Sequence, residues 1–238
     1  MLVSSVVVLF FFCFYIHLMF RATLIFFSSM AISITAAGQQ GACDSVKQKL
    51  AFLNAFIKDS VFVRANSAIN AAAKLDYGEH CIAFGKDSLL KYSVSGITNG
   101  SSNSSAVPAV VNAFSDLHNH NNNLPPDAGD VYGLITICKK NPSYDTRFVL
   151  TASGNLYALL IKDRKAAIAF ADSLPPQKPV LPGMQPAFPE KIVDESRELK
   201  YSRLDSDEHI LSYILKKYNT GIFLIKVNYN SEFVVIDW

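Results

Sequence analysis

A run of prolines sets the main division of this chain. Six of them lie between positions 175 and 189. Proline fixes φ and has no backbone N–H, so this stretch cannot form a helix or a central strand. We expect a linker or wrapping arm at 175–189, one domain before it at 38–174, and a helix and hairpin at 190–238. That last part either stands apart or completes the same domain.

The first 37 residues are much more apolar than the rest of the chain. They contain 28 apolar residues, no acidic residue and a single Lys or Arg, Arg21. A basic start, an apolar stretch and the small residues at 35–37 are typical of a cleaved secretory signal peptide. We therefore expect export to the periplasm, the cell envelope or the medium. Since residues 1–18 place another apolar run before Arg21, Met19 is the candidate true start of translation.

Two other interpretations of this segment stay open. Residues 2–20 are close to the length of a transmembrane helix, which would make the segment a membrane anchor. Cys43 is a candidate lipid-anchor site, although it lacks the usual aliphatic residue three positions earlier. Apart from such an anchor we expect no membrane contact. The cysteines left after cleavage, including Cys81 and Cys138, are odd in number and form no C-x-x-C, so we interpret them as buried apolar residues.

Helical and strand patterns alternate along the rest of the chain. Apolar spacing predicts two helices between Asp44 and Lys74 with a break near Asp59 and Ser60. Strand patterns cover 81–84, 89–94, 107–117, 147–151, 156–161, 221–227 and 233–236. Helical patterns cover 130–140, 164–174 and most of 190–218, and 96–106 is a polar surface loop. This order favours an α/β fold with a mixed sheet flanked by helices, with α+β as the alternative.

Charge argues against one class of partner. The formal net charge is only +2 at pH 7, and half of the residues are apolar. A nucleic-acid-binding domain is usually much more basic, with its Lys and Arg clustered. We therefore expect no nucleic acid as partner, and the literal sequence His-Asn-His does not indicate an HNH nuclease.

Two histidines at alternate positions carry the strongest chemical signal. His118 and His120 leave a predicted strand, where side chains two residues apart point to the same side. Asp130 follows a Pro-Pro turn at the start of a predicted helix and can supply a third ligand. Three protein ligands with a fourth position open are the arrangement of catalytic zinc.

A purely structural interpretation of the same residues is also open. Histidines in an Asn-rich loop are often solvated, and Asp127 and Asp130 can cap the helix that follows them. The other mature-chain histidines give weaker signals. His80 is not expected to be a ligand, and His209 lies in a polar helical stretch that we expect to face solvent.

The segment from His118 to Asp130 resembles the signature of the JAB/MPN (JAMM) metalloprotein family, especially its exported bacterial members. The resemblance rests on His118-Asn119-His120, Pro125-Pro126, position 127 and Asp130, and it covers about residues 75–170. It extends to the downstream stretches 130–134, 147–149 and 156–159. It implies a JAB-like mixed sheet flanked by helices, with zinc held by His118, His120 and Asp130. It also implies zinc-dependent hydrolysis of peptide or isopeptide bonds in a peptide or protein substrate.

The same resemblance assigns roles to two more acidic positions. The family has an upstream Glu as general acid and base, which Glu79 matches best, with Asp76 as the alternative. Asp127 stands where the family has a serine that stabilises the oxyanion, and an ionised carboxylate there would repel the developing charge. Three hypotheses follow: an exported zinc metallopeptidase, a non-catalytic JAB-like binding domain, and a cell-envelope structural protein.

Overall fold

A computed structural model describes residues 46–178, 185–203 and 206–237. The predicted signal segment, Met19 and Cys43 lie outside these ranges. The described residues from Leu50 onward belong to one compact unit. Within the described ranges, no helix is both long enough and apolar enough to cross a membrane.

Two helices precede the sheet, as the apolar spacing predicts. Residues 46–56 are helical (α1), and α2 spans Ser60–Asp76. Asp59 caps α2, since its side chain accepts a hydrogen bond of 2.7 Å from the backbone N–H of Val61. Asp is among the preferred residues at this position because it satisfies a backbone donor that the helix leaves free. The break predicted near Asp59 and Ser60 is therefore confirmed.

The described residues form one mixed sheet of eight strands. The strands are β1 (His80–Lys86), β2 (Tyr92–Val94), β3 (Thr98–Asn99), β4 (Ser115–Asn119), β5 (Thr146–Leu150), β6 (Leu156–Ile161), β7 (Ile222–Val227) and β8 (Phe233–Val235). Seven of them follow the order β2-β1-β4-β5-β6-β7-β8, and β3 pairs with β1. Strands β4 and β5 are parallel, whereas the other pairs are antiparallel. The predicted fold class, a mixed sheet flanked by helices, is confirmed.

Helices cover both faces of this sheet. The later helices are α3 (Ala128–Lys140), α4 (Arg164–Ser173), α5 (Glu190–Arg203) and α6 (Asp207–Lys217). They contribute to one apolar core, which includes Val149 of β5. Residues of α1 and α2 form a second core, which includes the neighbouring Phe148. Adjacent residues of one strand therefore point into opposite cores, as the pleat of a strand requires.

Three sequence-based assignments between residues 89 and 117 are wrong in extent. The strand predicted at 107–117 is regular only from Ser115 onward, and Val111 is 70% exposed. Asn112 has a positive φ of 48°, which interrupts extended backbone in that stretch. The loop predicted at 96–106 contains β3, which pairs with β1. The strand predicted at 89–94 begins only at Tyr92, and it pairs antiparallel with β1.

The part after the prolines extends the sheet. Strand β7 pairs antiparallel with β6, from Tyr157 opposite Lys226 to Ile161 opposite Ile222. The stretch predicted to be mostly helical consists of α5 and α6, and Ser206 caps the second of them. Within the predicted proline linker, Gln177 and Ala187 form an isolated antiparallel bridge.

Candidate metal centre

One face of β4 supplies the centre of the site. Asp116, His118 and His120 occupy alternate positions, and all three are buried and line one cleft. The alternation continues past the end of β4 because the backbone N–H of His120 donates to the carbonyl of Leu150 on β5, at 2.8 Å. The sheet thus extends the strand geometry just far enough to place both imidazoles on one side, as the sequence predicts.

Asp130 meets both histidines from the facing helix. Its Oδ1 lies 2.9 Å from Nε2 of His118, and its Oδ2 lies 3.2 Å from Nε2 of His120. One ligand atom from each residue lies within 4.8 Å of the other two. Three points spaced in this way all lie within about 2.8 Å of a common centre, close to zinc–ligand bonds of about 2.0–2.2 Å. This buried group can hold a metal ion.

The remaining ring nitrogens of the histidines point away from Asp130. Nδ1 of His120 lies 3.2 Å from the carbonyl oxygen of Leu124, which can only accept, so this nitrogen carries a proton. Nδ1 of His118 lies 3.7 Å from Oδ2 of Asp116. In both rings Nε2 is the nitrogen nearer to Asp130 and is therefore the candidate ligand atom.

The start of α3 fixes Asp130 through a capping box. Asp127 accepts a hydrogen bond of 3.2 Å from the backbone N–H of Asp130, and Asp130 accepts one of 2.9 Å from the backbone N–H of Asp127. The capping interpretation of these two residues is therefore confirmed. It also agrees with a metal site, because the cap holds the Asp130 carboxylate at the positive end of the helix dipole, facing the histidines.

Each member of this buried group has a pKa that the other members shift. Burial alone would lower the pKa of His118, but the charge of Asp130 and contacts with Asp116 and Asp130 outweigh it and raise that pKa to about 10. Burial opposes ionisation of Asp130, yet the two histidines hold the pKa of its carboxyl well below the usual range. A metal ion bound here would displace the protons on the Nε2 atoms of His118 and His120.

Glu79 and Asp76, the two candidates for the general base, lie in different surroundings. Glu79 is buried and lines the cleft. Burial raises its pKa to about 7, although the charges of His118 and His120 oppose this rise. Asp76 is 54% exposed and pairs with Nε2 of His80 at 2.9 Å. Of the two carboxylates, only that of Glu79 borders the cleft.

Among the described residues, two further histidines and two cysteines lie outside the metal-ligand group. His80 is buried with its two ring nitrogens near Asp76 and Asn99, away from the metal-ligand group. His209 is exposed on the first turn of α6. Cys81 and Cys138 are both buried, as predicted.

Sequence reasoning missed a buried polar network behind His118. Asp116 accepts hydrogen bonds from the Tyr144 hydroxyl and, at 3.2 Å, from Nε of Arg147. Nη1 of Arg147 also donates to the backbone carbonyl of Asp130, at 3.4 Å. The available signal was that Asp116 lies two residues before His118 and so shares its face of the strand.

The cleft in front of the metal-ligand group has a volume of about 360 Å³. Polar and proline residues form much of its wall, including Asn103, Ser105, Pro176, Gln185 and Pro186. Nε2 of Gln185 donates to the carbonyl of Asn103 at 2.8 Å, which ties the end of the proline-rich stretch to the loop after β3. The ligand group therefore opens onto a bounded space large enough for part of a ligand.

No protein-family model matches this chain, and no curated protein sequence matches it either. The resemblance to JAB/MPN proteins expected from the residues between His118 and Asp130 therefore stays a prediction. The geometry of the site stands on its own, because it is given by the distances among the three side chains.

Proposed function

We propose that this protein is an exported, zinc-dependent hydrolase of the JAB type that acts on peptide or isopeptide bonds. The observation that carries the proposal is the convergence of two Nε2 atoms and one carboxylate at the wall of a cleft. The nearby buried Glu79 adds a group suited to proton transfer. Without a cleft and a neighbouring acid, the same three ligands would support only a structural site.

The donor set favours zinc among the common metal ions. Two imidazoles and one carboxylate suit Zn²⁺, whereas Mg²⁺ and Ca²⁺ prefer oxygen ligands throughout. Three protein ligands beside a cleft leave room for a further ligand from solvent or substrate. When bound there, zinc polarises a carbonyl group and lowers the pKa of a water molecule.

The chain's own residues would then move the proton. Glu79 borders the cleft near enough to His118 and His120 for their charges to act on its pKa. In the proposed reaction its carboxylate accepts the proton of the attacking water and passes it to the leaving amine. His118, His120 and Asp130 act only as ligands.

One observation favours a second candidate, a JAB-like domain that binds metal and ligand without catalysis. In the proposed resemblance Asp127 stands where the family has a serine, and its Oδ1 accepts the capping hydrogen bond from the backbone N–H of Asp130. A carboxylate has no proton to donate to a developing oxyanion and repels its charge. The two candidates share the metal site and differ in turnover.

Hydrolysis of a peptide library by the zinc-loaded protein separates these candidates. We expect Glu79→Gln to keep its zinc and lose turnover, and Asp76→Asn, the matched control, to keep both. Turnover that survives Glu79→Gln would remove Glu79 from the proposed reaction. A zinc-loaded protein that cleaves no peptide or isopeptide substrate would favour the binding domain.

The export part of the proposal has a separate test. Expression of the full chain in a bacterial host with a secretory pathway should yield a mature protein that begins near residue 38. N-terminal sequencing of the exported fraction measures this directly. A protein that retains residues 1–37 in the membrane fraction would support the anchor instead.

A further inference from the structure

Asp116 is the most deeply buried carboxylate bordering the cleft, with 1% of its surface exposed. It holds no place in the metal-ligand group, and an isolated ionised carboxylate so deep in a protein is costly. Three donors surround it instead: the Tyr144 hydroxyl, Nε of Arg147 and, at 3.5 Å, the thiol of Cys81. The fold thus holds the Asp116 carboxylate next to the metal-ligand group without making it a ligand.

The fourth neighbour of this carboxylate is a metal ligand. Oδ2 of Asp116 lies 3.7 Å from Nδ1 of His118, a distance slightly longer than a hydrogen bond. A metal-binding histidine usually donates its second ring N–H to a carboxylate or carbonyl, which fixes the ring orientation. His120 already has such a partner in the Leu124 carbonyl. Asp116 occupies the equivalent place for His118.

We propose that Asp116 is a positioning residue that orients His118 for metal binding, and that Tyr144 and Arg147 hold Asp116 in place for this role. This inference rests on the proposed metal site. It requires the Asp116–His118 contact to shorten by about 0.7 Å, to ordinary hydrogen-bond length, when the metal is bound.

The structure makes specific room for Arg147. Arg147 lies directly opposite Asp116 in the parallel β4–β5 register, and it reaches across to the backbone carbonyl of Asp130 on α3. A Cβ atom on Gly133 of that helix would lie 2.3 Å from Nη1 of Arg147. The guanidinium therefore links Asp116 to the Asp130 end of the ligand group, and the glycine leaves space for it.

The test measures zinc affinity and the state of the His118 ring, neither of which depends on turnover. We would titrate the purified metal-free wild-type protein and its variants with Zn²⁺ by calorimetry, and record the Nδ1–H resonance of His118 in the zinc-loaded forms by NMR. Asp116→Asn leaves one acceptor oxygen for several donors. We expect zinc affinity to fall about 10–100-fold, the usual effect of removing such a partner.

Tyr144→Phe is the milder variant in case Asp116→Asn fails to fold. It removes one donor to Asp116 and should weaken zinc binding and shift the His118 Nδ1–H resonance. Tyr157→Phe is its matched control, because the Tyr157 hydroxyl also donates to a carboxylate, that of Glu208, away from the cleft. We expect this control to leave zinc affinity and the resonance unchanged.

The outcomes separate this inference from the proposed function. The positioning role would be overturned if Tyr144→Phe kept wild-type zinc affinity and an unmoved Nδ1–H resonance. It would also be overturned if a folded Asp116→Asn protein kept wild-type zinc affinity. Either result would leave the zinc site intact. A wild-type protein that binds no zinc would overturn both. Equal weakening in Tyr144→Phe and Tyr157→Phe would show a general loss of stability and would also overturn the inference.

Discussion

Two substitutions of Asp127 separate its role in capping α3 from the effect of its charge on the proposed reaction. The Asp127 side chain caps α3 by accepting the backbone N–H of Asp130 at 3.2 Å. Serine caps a helix about as well as aspartate, whereas alanine has no side-chain acceptor. Serine is also the residue that the proposed resemblance to JAB/MPN proteins implies at this position. The pair Asp127→Ser and Asp127→Ala therefore changes the cap in one variant and the local charge in both.

The expected loss of unfolding free energy in Asp127→Ala follows from the one hydrogen bond that this substitution removes. The second bond of the capping box, from the backbone N–H of Asp127 to the Asp130 carboxylate, remains in both variants. Loss of an N-cap side chain costs about 1 kcal/mol of unfolding free energy. For a domain of this size that corresponds to a drop of roughly 2–4 °C in Tm. Asp127→Ser should stay within about 0.5 kcal/mol of the wild type.

Thermal and denaturant unfolding of the three proteins, followed by circular dichroism, measure how much the cap contributes to the unfolding free energy. An Asp127→Ala protein as stable as Asp127→Ser would refute the capping account. Peptide hydrolysis measures the catalytic part. Because a serine hydroxyl can donate to an oxyanion, Asp127→Ser should raise turnover, by up to the roughly 10²–10³-fold that one oxyanion donor contributes. Unchanged turnover would show that Asp127 does not limit the reaction.

Three further predictions test the fold and the cleft. Phe56 is fully buried among other aromatic rings, so Phe56→Ala should lower the unfolding free energy by about 3–5 kcal/mol, and the exposed control Tyr229→Ala by less than about 0.5 kcal/mol. In the metal-free protein the folded-state pKa of Glu79 is about 7, above its ordinary 4.5, so this group costs stability as the pH rises through that range. Glu79→Gln should therefore gain stability relative to wild type at pH 8 compared with pH 4, and an equal gain at both would contradict the raised pKa. Zinc affinity should fall as the pH is lowered from 8 to 5, because protons compete for His118 and His120, and a pH-independent affinity measured by calorimetry would argue against histidine ligands.

Local patterns predicted much of this fold. The break between α1 and α2 depends on the cap residue Asp59, and the predicted strands at 147–151 and 156–161 are joined by a short turn that contains Gly154, which has a positive φ. The length of β4 was not predictable in this way, because the apolar residues at 107–111 resemble a strand. Asn112 takes a positive φ between this stretch and the start of β4 at Ser115, a conformation that composition does not reveal.

The metal-ligand group was predictable because its residues follow two local rules. His118 and His120 alternate along one strand, and Asp130 lies in the first turn of a helix whose N-cap, Asp127, is three residues earlier. The network behind them was not predictable, because Asp116 and Arg147 meet only through the parallel pairing of β4 with β5. The register of two parallel strands depends on how the crossover between them packs. The sequence between Asp116 and Arg147 does not indicate which residues of β4 and β5 lie opposite each other.

The metal content of the purified protein tests the central claim most directly. After removal of loosely bound ions, inductively coupled plasma mass spectrometry should find about one zinc per chain in the wild type. The double variant His118→Ala/His120→Ala should hold almost none, and the control His209→Ala should match the wild type. A wild-type protein that binds no metal when supplied with zinc, or a double variant that retains it, would contradict the proposed centre.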